Sequence, residues 1–272
     1  MALRSIARVS GIGDDLETAL DGEADAIALS LTDERPDAQA QRVEVANALE
    51  RVVAKGKHAF VIVNHPRTQL LRLDIEAVVS KHLKGVMVAD SSEPQDVRDT
   101  AVLLREFELQ RDMEPGVVSV FPVIGSARGV LRAPEIAAAA TRVAGLVFAS
   151  GRYAQDVGAR AEEHGERFAY ARGAVVAAAR AVDGMPLHMG NAVDVRTMSQ
   201  YGFAAAILSD SSLIAGANVA FEATEADIRR AEAHIAAYDA ARAEGAWVGR
   251  YEGEVVDAHR ARKARLVLEH RG

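Results

Sequence analysis

Short apolar runs alternate along this chain with segments whose apolar residues recur every three or four positions. The runs are continuous, as in Val61-Ile62-Val63 and Val86-Met87-Val88. Continuous apolar runs suit strands of a parallel sheet covered on both faces. The pattern predicts strands over residues 5–9, 26–31, 59–63, 85–88, 117–123, 144–148, 185–188 and 204–208. Helices are predicted over 14–20, 38–54, 96–113, 134–141, 169–182 and 193–201. Gly56, Pro115 and Asp183-Gly184 punctuate three helix ends, and Pro134 stands at a first helical position. Strand–helix alternation with right-handed crossovers predicts an α/β fold, a (β/α)8 TIM barrel with a C-terminal helical extension.

After the eighth strand the alternation stops. Thr224 followed by Asp227 is a helix N-cap signature, and a long helix is expected over 225–242. Gly245 to Gly253 reads as a turn-rich link carrying the single tryptophan, Trp247, and 255–270 reads as a charged helix. The expected division is a barrel over 1–222 and an extension over 223–272. The extension is too small to fold alone, so it should pack on the barrel or on a neighbouring subunit.

Composition adjusts this picture in several ways. The 272 residues fit one barrel. They are 49% hydrophobic but only 5% aromatic, so the core is built from Ala, Val, Leu and Ile. A net charge of −7, with both signs interspersed, argues against a nucleic-acid partner. The absence of cysteine excludes disulfides, thiolate metal sites and a thiol nucleophile, and fits a reducing compartment. No leader pattern and no uncharged apolar stretch of membrane-spanning length is present. A cytoplasmic protein without membrane association is expected.

The C-terminal ends of barrel strands carry the chemistry in this architecture. Here they offer Ser30, Thr32, Gly125 and Arg152. No phosphate loop, dinucleotide fingerprint or His-Glu-x-x-His helix is present. Gly125-Ser126-Ala127-Arg128-Gly129 is either a flexible turn or a cradle for an anion. His65 and His188 lie just after or at strands three and seven, where they would point into the mouth as acid–base candidates. Asp33, Glu34, Asp90 and Asp210 follow strands, and Asp156 lies a turn further on. None forms a tight carboxylate pair, and Asp33 and Asp156 read as helix caps.

Several ordered landmarks carry a family resemblance: Leu3-Arg4-Ser5, Glu23 to Leu29, Val61-Ile62-Val63-Asn64, Gly85 to Val88, Gly145 to Phe148, Asp156-Val157-Gly158, Phe168 to Arg172, Tyr201-Gly202-Phe203 and Glu252 to Asp257. On these the chain resembles the citrate lyase β-subunit-like family of the aldolase/citrate lyase superfamily. The resemblance implies carbon–carbon bond chemistry on a 2-oxo or hydroxy acid or its coenzyme A thioester. It also implies Mg²⁺ held by a Glu and an Asp, and commonly a homotrimer.

The departures fall on the functional positions. The family Glu after strand five corresponds to Gly125, and the family Asp after strand six to Arg152. The substrate-binding Arg of strand three corresponds to Ile62, and the Lys after strand four to Asp90. The second-strand acidic run survives only as Asp33, and the late His-containing landmark reads Leu208 to Ser212. A guanidinium repels a cation at any working pH. Hence no metal ligand and no cofactor are expected. Arg152 would fill the vacated position, held by Asp90. The candidates are His65 and Asp90 as proton carriers, and Asn64, Ser126, Arg128 and Arg152 as substrate-binding groups. The expected partners are a small carboxylate or acyl-CoA and further copies of the chain, a trimer being favoured. The alternative is a catalytically inactive homologue, serving as an oligomeric scaffold or a metal-free carboxylate-binding protein.

Overall fold

The computed structural model describes residues 3–32, 37–159, 168–190 and 195–269. Eight strands form a closed barrel in sequence order: β1 (Ser5–Val9), β2 (Ala26–Ser30), β3 (His58–Val63), β4 (Leu83–Val88), β5 (Ser119–Ile124), β6 (Gly145–Ala149), β7 (Met185–Met189) and β8 (Ala205–Leu208). All neighbouring pairs are parallel, and β1 closes on β8 through Ile6 opposite Ile207. The intervening helices are α1 (Asp14–Asp21), α2 (Ala38–Ala54), α3 (Leu71–Val78), α4 (Pro94–Gln110), α5 (Ala127–Leu131), α6 (Ala133–Ala137), α7 (Ser150–Asp156), α8 (Ala169–Ala181), α9 (Val195–Gln200) and α10 (Ile214–Phe221).

Side chains alternate across each strand, so one set fills the bore and the other meets the helices. The bore holds Ile6, Phe60, Met87, Phe121, Val147 and Leu187, with Phe60 and Phe121 edge-to-face at 5.5 Å. The outer set, including Ile27, Val61, Val86 and Phe148, packs under the helices. Gly145 is required by this closure. A Cβ there would stand 2.0 Å from the Met185 carbonyl oxygen of the adjacent strand.

The expected eight strands are all present. Differences lie in the helices. The helix expected over 134–141 is the shorter α6, and the expected loop before it holds a further helical turn, α5, the two meeting at Arg132. Helices α3, α7 and α10, each of eight residues or fewer, were not expected. In α3 the buried face also includes an acid, Asp74, which breaks the apolar stripe.

The extension begins with α11 (Glu225–Ala243), opened by the expected Thr224/Asp227 capping box. The turn-rich link is a hairpin, β9 (Gly249–Tyr251) against β10 (Glu254–Val256). The last helix, α12 (Ala258–Glu269), therefore starts later than residue 255, because Val255 and Val256 pair with Arg250 and Gly249. Arg262 on α12 donates to Asp183 at 2.8 Å and to the Arg180 carbonyl, tying the extension to the end of α8. Among the described residues, no helix is long and apolar enough to cross a membrane.

Candidate functional site at the barrel mouth

The mouth is built where β3, β4 and β5 end. Asn64 follows β3 and is spent on the scaffold. Its Nδ2 donates to the Leu31 carbonyl at 3.0 Å and to Asp74 Oδ2 at 2.8 Å, and its backbone N–H donates to the same oxygen. Asp74 is fully buried, and its other oxygen accepts from Arg42 Nε at 2.8 Å. Three elements, the β3 end, α2 and α3, meet at this one carboxylate.

His65 is bound at both ring nitrogens. Nδ1 accepts from the Arg67 N–H at 3.2 Å, which starts the 3-10 turn Pro66–Thr68, and Nε2 lies 3.2 Å from Asp96 Oδ2. Asp96 belongs to the capping box of α4 and also accepts from the Ser92 and Glu93 N–H groups. Burial alone would push Asp96 up. The hydrogen bonds from His65 and the two amides outweigh it and hold the carboxyl below its ordinary range.

Glu93, the residue capping α4, sits between two arginines. Its oxygens lie 3.0 Å from Arg67 Nη2 and 2.5 Å from Arg128 Nη2. Arg128 is thus already engaged with a carboxylate of this chain. Ser126 is the N-cap of α5, accepting from the Gly129 N–H at 3.1 Å. Replacing Ser126 with Ala is expected to lower the unfolding free energy by about 1 kcal/mol, read from the urea midpoint.

Gly125 and Arg152, distant in sequence, stand side by side. A Cβ at position 125 would lie 2.8 Å from Arg152 Cβ, so any larger residue there displaces the arginine. The Arg152 side chain is exposed at the start of α7. Asp90, held at φ 50°, is also exposed. The expected Asp90–Arg152 ion pair is not formed, and no hydrogen bond joins Asp90 to His65 among the described residues. Asp156 does act as a cap, but of α5 rather than of its own following helix: it accepts from the Ala127 N–H at 2.7 Å. Asp210 caps the turn Ser211–Leu213 through the Ser212 hydroxyl and N–H, which hold its carboxyl below the ordinary range. Asp33 and Glu34 lie outside the described residues.

His188 does not enter the mouth. Leu187 belongs to the bore, so its neighbour faces the helix layer, where His188 packs edge-on against Phe203 at 5.3 Å and near Phe148 at 5.9 Å. Burial, with the nearby Arg172 charge adding to it, pushes this imidazole down to about 3. A mouth residue that sequence reasoning missed is Arg8. It shares the inward parity of Ile6 on β1, beside Ala28, and so brings a cation into the bore. The signal was available as the one charge within the otherwise uncharged Ser5–Val9 run. Around it the upper bore is apolar, with Ile62, Val123, Ala149 and Met189.

Comparison with known proteins places this geometry. The model of the HpcH/HpaI aldolase/citrate lyase family matches residues 12–210. The citrate lyase subunit beta-like protein of Deinococcus radiodurans is 29% identical over 284 aligned positions, covering 98% of this chain and 97% of that protein. Citrate lyase subunit beta of Haemophilus influenzae is 27% identical, covering 90% and 85% respectively. The crystal structure of the protein CitE from Mycobacterium tuberculosis, in complex with magnesium, acetoacetate and coenzyme A, superposes with a TM-score of 0.68. It is 20% identical and covers 99% of this chain and 98% of that one.

Proposed function

Given that the chain belongs to the HpcH/HpaI aldolase/citrate lyase family, we propose that it is a citrate lyase β-like protein whose mouth binds a small carboxylate or the acyl-CoA form of one through arginine, without a divalent ion. The observation that carries this reading is the contact of Gly125 with Arg152. By resemblance these two positions match the family's acidic metal ligands. A hydrogen and a guanidinium stand there instead. Magnesium demands oxygen donors, carboxylates foremost. No group of three acidic or imidazole side chains able to hold a metal is found among the described residues. The donor set does not fit the ion, and no step is routed through it.

In this reading Arg152 grips the ligand carboxylate by paired N–H donors. Arg8 supplies a second positive charge from the bore. Ile62, Val123, Ala149 and Met189 form an apolar floor that limits water around the bound group. The partner-facing role of the extension over 223–272 belongs to the same proposal, with a homotrimer as the assembled form; light scattering of the full chain tests it.

The family's carbon–carbon lyase activity is the second reading, favoured by the family match over residues 12–210. It needs a proton carrier at the mouth. Asp90 is exposed there, whereas His65 would have to release Asp96 first.

Calorimetry with oxaloacetate and acetyl-CoA, in EDTA and then with Mg²⁺, tests the proposal. The expected result is carboxylate binding that EDTA does not change and that Arg152→Ala weakens at least about tenfold, the loss of one charge-assisted pair. A stoichiometric heat of Mg²⁺ binding, or ligand binding that appears only with Mg²⁺, would overturn it.

A further inference from the structure

The opposite face of the barrel, at the N-terminal ends of β3 and β4, carries a second cavity. Its volume is about 500 Å³, and the end of α2 and the loop between α4 and β5 contribute to its lining. That size lies within the range of small-molecule sites. Three of the chain's five lysines, Lys57, Lys81 and Lys84, line it together with His58 and His82. Glu114 is the one acid among its lining residues. This is a concentrated positive field on a chain whose net charge is −7.

The lysines are not consumed by ion pairs. Lys57 Nζ donates to the carbonyls of Gly22 and Ala24, each at 2.7 Å, which leaves one of its three protons for another acceptor. Lys81 and Lys84 are exposed and make no salt bridge or side-chain hydrogen bond among the described residues. His58 is pushed down by burial and then by the Lys84 charge, so it offers a neutral ring beside the ammonium groups. The lining also has an apolar component: Val53 and Val117, 40% and 46% exposed, and Met113. Cationic groups together with exposed apolar side chains match a ligand that is itself divided, an anion attached to a flat apolar body.

We propose that this cavity binds a nucleoside phosphate, its phosphates on Lys57, Lys81 and Lys84 and its base against Val53, Met113 and Val117. The site is separate from the mouth and does not depend on what the mouth binds.

Calorimetric titration with ADP, inorganic pyrophosphate and adenosine tests it on the wild type, on Lys81→Glu/Lys84→Glu and on Arg152→Ala. Both lysines are exposed, so the charge reversal should leave the far-ultraviolet dichroism and melting curve unchanged. ADP should bind the wild type and Arg152→Ala equally, and the double variant at least about tenfold more weakly, with the wild-type affinity falling as salt is raised. ADP should also bind more tightly than either pyrophosphate or adenosine, because each lacks half of the match. The proposal fails if no ADP heat appears up to millimolar concentration, or if Arg152→Ala removes the binding, which would place the nucleotide at the mouth. It fails equally if the lysine reversal leaves the affinity unchanged, or if pyrophosphate binds as well as ADP.

Discussion

Asp74→Ala is expected to lower the unfolding free energy by about 3–5 kcal/mol, the range for breaking a buried ion pair from one side. The carboxylate is fully buried and holds three donors, Arg42 Nε, Asn64 N–H and Asn64 Nδ2. Arg42 is itself only 5% exposed. Without Asp74 its charge stays buried with its main partner gone, and two Asn64 donors lose their acceptor. The effect reaches the site as well, because Asn64 also ties the β3 end to the Leu31 carbonyl at the end of β2. Urea unfolding measures the loss. Removing both charges, as Arg42→Met with Asp74→Leu, should recover most of it, since a paired apolar replacement leaves no stranded ion. A loss below about 1 kcal/mol in the single variant would show that this carboxylate does not anchor the mouth.

Acid should weaken the fold through His188. In the unfolded chain this imidazole takes a proton below its ordinary 6.5, while in the fold it stays neutral down to about 3. The unfolded state therefore binds more protons between those values, and stability falls as pH falls through that window. At 1.36 kcal/mol per pH unit, the term amounts to about 3 kcal/mol at pH 4 relative to neutral pH. Its Nε2 is buried and has no hydrogen-bond partner, so nothing in the pocket of Phe148 and Phe203 receives the extra proton. His188→Leu removes the titrating group. Asp25, Asp96 and Glu108 also lie below their ordinary values. Their contribution is present above the normal carboxylate range and is lost as pH falls through their folded values, in both proteins alike. The test is the difference between wild type and His188→Leu in urea midpoints at pH 7.5 and pH 4. Parallel losses in the two proteins would show that His188 is not the acid-sensitive group.

The continuous apolar runs placed all eight strands, because a parallel barrel buries both faces of each strand and leaves that mark on composition. The capping box at Thr224 and the proline at Pro134 were legible for the same reason: each acts on its immediate neighbours. Helices α3 and α10 were not legible: Asp74 interrupts the buried face of α3, and α10 is apolar all round apart from Asn218, so neither shows a clean two-sided pattern. His188 was assigned to the wrong face because a shift of one residue along a strand exchanges bore and helix layer. The site residues show the same division. Ser30, Gly125 and Arg152 could be named as strand-end positions from spacing alone. That His65 belongs to Asp96 and Arg128 to Glu93 could not, since each contact closes across separate strand–helix units, and Asn64 meets Asp74 only once α3 folds back on the end of β3.

The chain's order of apolar runs, caps and breakers determined that it would close into a (β/α)8 barrel and which loops would crowd its mouth. Those signals are local, and each element carries its own. Which polar groups at that mouth remain available to a ligand was decided only by tertiary structure. Contacts with carboxylates engaged His65, Arg128 and Asn64, helix capping engaged Ser126, and the fold left Arg152 exposed beside a glycine and gathered three lysines at the far end of the barrel.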